Sequence, residues 1–226
     1  MTETGFVVGT PYDEERLLGC QFTALLEADY YLRWVDNDDM ARSYVKFYSI
    51  SNKPSPKSCL FRSADGNTII RTPISYGYEL AAGTVRDASE RLGTIVKNSG
   101  GCVRAIRSWV PAKDAAGLKA PGKGEVQSVD VTVDYVFARA FRAKLGGAIR
   151  VVFLNKSQAS REARLEIDGK PLSAKPVRMR SISGGLFDRN TLEEPDKIIP
   201  VEREINAGET IELPAYSLGV LEIGAG

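Results

Sequence analysis

The sequence predicts a mainly β protein, an antiparallel sandwich of jelly-roll type preceded by one helix and one strand. Three observations predict it. Short segments of alternating apolar and polar residues crowd the C-terminal two thirds. Gly, Asn and Asp separate those segments at turn positions. The only sustained helical spacing lies near the start, where Leu18, Phe22, Leu25 and Leu26 recur between Glu14 and Val35.

The elements follow in order. Asp13-Glu14-Glu15 after Pro11 forms an acidic first turn for that helix. Tyr44 to Ile50 is apolar on both faces, as a covered strand is. Pro54 and Pro56 make the next stretch a loop, and Asp65-Gly66-Asn67 marks a turn. After Thr72 the sequence predicts strands and no further helix. Val126 to Phe137 reads as one strand with Val129, Val131, Val133, Tyr135 and Phe137 on one face. Leu145-Gly146-Gly147 turns into Ala148–Asn155, with Ile149, Val151 and Phe153 together. Arg161 to Ile167 forms a strand, and Asp168-Gly169 turns it into a hairpin. Further strands are predicted near Val177–Ser183, Ile199–Ile205, Thr210–Leu213 and Leu218–Ile223. Lys113 to Gly124 reads as an exposed loop within the sandwich.

Composition narrows the function. The chain has 226 residues, of which 43% are hydrophobic, enough for a sizeable core. Lys plus Arg number 30 against 29 Asp plus Glu, a net charge of +1 that favours neither nucleic acid nor a membrane surface as partner. The charges from Arg161 to Glu204 alternate in sign, as on a solvated sheet face. Histidine is absent, which removes Ser-His-Asp and Cys-His catalysis and every His-containing metal site. Cys20, Cys59 and Cys102 are odd in number and widely spaced, so buried free thiols are expected rather than a disulfide or metal framework. No cofactor or metal is expected. No basic segment followed by an apolar core begins the chain, so no signal peptide is expected; localisation stays open, with the cytoplasm favoured.

Three segments resemble glycoside hydrolase family 51, the α-L-arabinofuranosidases. Gly147 to Ser157 is similar to a strand ending in Asn-x-Ser, here Asn155 and Ser157. Asn190 to Val201, with Pro195 and Pro200, resembles the Asn-…-Pro-…-Val-x-Pro segment of the family. Leu213-Pro214-Ala215-Tyr216-Ser217-Leu218 resembles its closing Leu-Pro-…-Ser stretch. The residues themselves read as structural: Pro195 and Pro200 for a crossing between sheets, Asn190 and Asp196 as turn caps. Packing and turn roles are expected of the three segments ahead of sugar binding.

The resemblance implies the C-terminal part of such an enzyme: residues 1–50 as the remnant of a truncated (β/α)8 barrel, and 51–226 as the C-terminal sandwich. It implies retaining hydrolysis of arabinose-containing polysaccharides by the intact parent, with two carboxyl groups about 5 Å apart. The family carries its nucleophile on a barrel strand before a helix, which places Glu3 as the nucleophile equivalent; the other reading makes Glu3 a terminal residue without a role. The family's acid/base follows an Asn, and no Asn-Glu pair occurs in this sequence. Whether the chain is itself an enzyme therefore stays open, and a non-catalytic carbohydrate-binding or interaction sandwich is the alternative function. The implied partners are an arabinose-containing oligo- or polysaccharide, bound through the parent, and the missing barrel segment or a second copy. An exposed apolar patch is expected on the helix and first strand, at Leu18, Phe22, Leu25 and Val45.

Three smaller features remain. Asp36, Asp38 and Asp39 read as a solvated turn or a weak cation site. Trp34 reads as a core residue. Trp109, before Pro111, is a candidate for an exposed ring that stacks on sugar.

Overall fold

The computed structural model describes residues 19–36, 49–51, 58–63, 65–107, 127–172, 175–206, 208 and 210–224. The helices are α1 (Gln21–Val35) and α2 (Pro73–Arg86). The first strands are β1 (Ser49–Ser51), β2 (Ser58–Arg62), β3 (Ile69–Arg71), β4 (Ala88–Leu92) and β5 (Gly100–Arg107). Next come β6 (Gln127–Asp134), β7 (Val136–Ala143), β8 (Ile149–Asn155), β9 (Arg161–Ala163) and β10 (Glu166–Ile167). The last are β11 (Lys170–Pro171), β12 (Pro176–Ile182), β13 (Val201–Asn206), β14 (Ile211–Leu213) and β15 (Ser217–Ile223).

A six-stranded antiparallel sheet in the order β13-β12-β15-β8-β7-β4 is the spine of the molecule. Both faces of its central strands are covered. On one face Phe137, Phe141, Val152, Leu154, Ile182 and Leu218 share a core with Ala24, Leu25, Ala28 and Leu32 of α1 and Ile74, Leu80 and Ala81 of α2. On the other, Phe153, Val177, Met179, Leu221 and Ile223 meet Ile211 and Leu213 of β14 and the flank of β9. This double burial explains the unbroken run Val151-Val152-Phe153-Leu154, which a sheet with one wet face would not carry. The expected sandwich stands, with the helices as an added layer.

The predicted helix keeps its C-terminal end but is described only from Gln21. Gly19 sits at φ 62, a conformation that ends regular helix on its N-terminal side. Cys20 is the N-cap and supplies no side-chain bond. Two carbonyls of a distant loop instead take the first free N–H groups: Gln21 N donates to Asp188 O at 2.9 Å and Phe22 N to Leu186 O at 2.8 Å. Leu25 is buried against the rest of the chain and Phe22 half-buried, so the expected open patch is absent at Leu25. Leu18 and Val45 lie outside the described residues, as do Glu14 and the Lys113–Gly124 loop.

A second helix corrects the expectation that helices stop at Thr72. Thr72 is the N-cap of α2 and Pro73 its first residue, where a missing N–H costs nothing. Gly77 is the point of closest approach: a Cβ there would lie 2.9 Å from Leu218 Cδ2 and 3.6 Å from Ala24 Cβ. Gly77 thus lets α2 lie against α1 and β15 at once.

Two predicted strands are also divided. Val126–Phe137 breaks at Tyr135: β6 pairs with β5, whereas β7 belongs to the main sheet. Tyr135 N donates instead to Ser99 O at 2.6 Å. Arg161–Ile167 splits into β9, paired with β14, and β10, paired with β11. The Asp168-Gly169 hairpin is as expected, with both φ values positive (53 and 73). The Asp65-Gly66-Asn67 turn also holds: Gly66 has φ 77, and Ser63 N donates across it to Thr68 O. Charges on the outer strands are solvated, as in the exposed pair Arg178–Glu202 at 3.1 Å. Cys20 and Cys59 are buried free thiols; the side chain of Cys102 lies outside the described residues.

Candidate functional site

Two of the three resemblance segments meet at one end of the main sheet. Asn155, fully buried at the end of β8, donates from Nδ2 to Ala159 O (2.9 Å), Leu213 O (3.0 Å) and Pro214 O (2.8 Å). Its Oδ1 accepts from the Ser157 N–H at 3.0 Å and the Ser157 hydroxyl at 2.7 Å. Ser217 Oγ donates to Pro214 O at 2.7 Å. Tyr216 between them has φ 45, and its carbonyl accepts from Gln21 Nε2 at 2.7 Å. One amide side chain thus closes the β8–β9 and β14–β15 connections, and the second of these holds the first residue of α1.

Asn190 in the middle segment works the same way. Nδ2 donates to Arg71 O (2.8 Å) and Ile198 O (2.9 Å), and Oδ1 accepts from Ile198 N (2.7 Å). This ties the loop before β13 to the end of β3. Asn155, Ser157, Asn190 and Ser217 are all buried. Their side chains are occupied with carbonyls and amides, so the packing role expected of them holds and a sugar cannot reach them.

Where α1 ends, an ionic cluster appears that local sequence did not reveal. Asp36 accepts both Nε (2.8 Å) and Nη2 from Arg139 of β7, and Nη1 from Arg91 (3.2 Å). Arg91 Nη1 also reaches Val35 O at 3.1 Å, so it satisfies a helix-end carbonyl. Asp29 pairs with Arg33 (3.0 Å) and Lys156 (3.2 Å). The Phe137 ring receives Arg139 at 4.2 Å and Arg33 at 4.5 Å from its centroid. Asp36 is thus a partly exposed residue of the turn that closes α1, as expected, but its oxygens also face two guanidinium groups. Among the described residues no group of three or more Cys, Asp or Glu is arranged to hold a metal. Trp34 is half-buried beside Tyr30, with ring centroids 6.1 Å apart, rather than in the core.

The Arg139 hydrogen bond holds the Asp36 carboxyl below its ordinary range, against a smaller opposing effect of burial. A carboxylate with a depressed folded pKa stabilises the fold above its unfolded value of about 4, and that stabilisation vanishes as pH falls through the folded pKa. Asp36→Asn is thus expected to lower stability by about 1–2 kcal/mol at pH 7. The difference from the unaltered chain should shrink as pH drops below about 4, as urea titrations at several pH values would read. A difference that is the same at pH 7 and pH 3 would contradict the pairing.

Glu3, the candidate nucleophile equivalent, lies outside the described residues, together with Asp38, Asp39 and Trp109. No helix among the described residues is long and apolar enough to cross a membrane.

No family model matches the sequence. No curated protein matches it either. Solved structures do match its fold. The α-L-arabinofuranosidase from Thermotoga maritima, in its arabinose complex, superposes with a TM-score of 0.71 over 99% of this chain and 42% of that one, at 12% identity. The thermostable family 51 α-L-arabinofuranosidase from Thermotoga petrophila gives 0.64 over 88% and 37%, at 13% identity. The chain has the fold of part of these enzymes. It spans about two fifths of their length. A family 86 β-porphyranase from Bacteroides plebeius shares the fold more loosely, with a TM-score of 0.56 over 34% of its length at 12% identity. The likeness to the arabinofuranosidase extends over both helices and the sheet, because it covers nearly the whole chain.

Proposed function

We propose that this chain is the C-terminal part of an α-L-arabinofuranosidase acting on arabinose-containing polysaccharides. The observation that carries the reading is the fold likeness to the T. maritima enzyme over 99% of the chain. The resemblance segments give it independent support, because their polar side chains bind the loops that hold α1 and β3 to the sheet. In this reading residues 1–50 complete a (β/α)8 barrel, residues 51–226 form the sandwich, and Glu3 is the nucleophile equivalent. The helices α1 and α2 then lie on the barrel side of the sheet, and the partner is the rest of the barrel.

The test is release of arabinose from an aryl α-L-arabinofuranoside by the complete protein that carries this chain. Retaining hydrolysis is expected, and Glu3→Gln is expected to lower kcat by at least about a thousandfold. Absence of arabinose release from the unaltered protein would overturn the reading. A second reading, a non-catalytic carbohydrate-binding or interaction sandwich, draws support from the missing Asn-Glu pair. Calorimetric titration of this chain with arabinan and arabinoxylan separates the two: binding without any hydrolysis by the complete protein favours the module.

A further inference from the structure

We propose that Phe187 is an aromatic platform for a sugar ring, set by the sandwich at the edge of the glycoside site. The inference rests on the arabinofuranosidase reading above. Phe187 is 51% exposed, although it is a large ring in a tightly braced turn. Asp188 N donates to Gly185 O at 2.9 Å, and Gly185 N donates to the Asp188 carboxylate at 2.7 Å. Lys197 pairs with the same carboxylate at 3.3 Å. The glycines let the turn pack closely: a Cβ on Gly185 would lie 2.9 Å from Asp188 Oδ2, and one on Gly184 would press on the end of Ile198.

The residues on either side of Phe187 are the ones fastened to α1. Leu186 O takes the Phe22 N–H and Asp188 O takes the Gln21 N–H. The backbone on both sides of Phe187 is therefore held beside the N-terminal end of α1, and about half of the residue is left open to solvent. In a (β/α)8 barrel the strand leading into a helix ends on the catalytic face, so the helix N-terminus marks that face. If α1 is a barrel helix, Phe187 stands on the side from which a substrate enters. A half-exposed phenyl ring on a braced turn suits the C–H face of a pyranose or furanose unit beyond the cleaved arabinose. The bracing matters because a turn that is already ordered loses little freedom on binding.

The experiment compares the complete protein with its Phe187→Ala and Phe187→Trp variants on two substrates. Wild-type turnover of 4-nitrophenyl α-L-arabinofuranoside tests the underlying reading. An arabinose-branched xylo-oligosaccharide tests the platform. Phe187→Ala is expected to raise KM for the oligosaccharide by about fivefold with kcat within about twofold, and Phe187→Trp to restore it. An active wild type with an unchanged oligosaccharide KM in Phe187→Ala overturns the platform alone. A wild type inactive on the aryl substrate overturns both. A fall in Tm beyond about 5 °C in Phe187→Ala, without a KM effect, assigns the ring to packing and overturns the platform.

Discussion

Replacing Asn155 by Ala is expected to lower the free energy of unfolding by about 3–5 kcal/mol. The side chain is fully buried, and its amide serves three carbonyls belonging to two connections. Alanine leaves Leu213 O without that donor and the Ser157 N–H without its acceptor, while Ala159 O and Pro214 O keep only the Ser157 and Ser217 hydroxyls. A buried polar group that loses its partner costs about 1–3 kcal/mol, so the sum is large even if some of these groups find water. Asn155→Asp should be nearly as damaging, because a carboxylate presents no donor to the three carbonyls. Urea unfolding followed by circular dichroism measures both. A loss below about 1 kcal/mol would mean that the two connections are held by their neighbours alone.

The second large effect lies where α2 meets the sheet. Leu218→Ala should cost about 3 kcal/mol, since Leu218 is fully buried among α1, α2 and the sheet. Gly77→Ala should cost about 1 kcal/mol, because its new methyl would meet Leu218 Cδ2 at 2.9 Å and offset the better helix propensity of alanine. In the double variant that collision is gone and the methyl fills part of the vacated space. The combined loss should therefore fall short of the sum by about 1 kcal/mol. Strict additivity would show that the Gly77–Leu218 contact does not set the distance between helix and sheet.

The sandwich is legible because period-two alternation survives in β6 and β12, and because Asp168-Gly169 and Gly146-Gly147 are unambiguous turns. The second helix is harder to see in the sequence. Its start signal, Thr72 before Pro73, is present, but Gly77, Gly83, Thr84 and Val85 are poor helix formers. The face Ile74-Gly77-Ala81-Thr84 is small rather than strongly apolar, because it presses closely on α1 and Leu218. The break at Tyr135 is hidden because alternation passes through it without interruption. What changes there is the partner strand, and pairing is a property of residues far away in sequence. The cluster at Asp36 is hidden for the same reason: Arg139 lies 103 positions on. At the candidate site, the three segments announced their structural role through Asn, Ser and Pro. Phe187 gave no comparable signal, because only exposure and the bracing of its turn distinguish it.

The two covered faces of the main sheet have a consequence for how its strands find their places. In a sheet with one wet face, sliding a strand by one residue drives polar side chains inward, and that penalty selects the alignment. Much of that safeguard is missing for β8 and β15, where residues on both faces are apolar. Gly219 can take its place: a Cβ there would lie 2.6 Å from Ser181 Cβ and 2.7 Å from Phe153 Cζ, so only glycine fits opposite those neighbours. A shifted β15 would bring Leu218 or Val220 into that space. Alignment of the central strands then depends on a site too small for any side chain, with the Asn155 amide fixing the same register at the strand ends. Fidelity of assembly in this sheet is set by sterics where greasiness cannot discriminate.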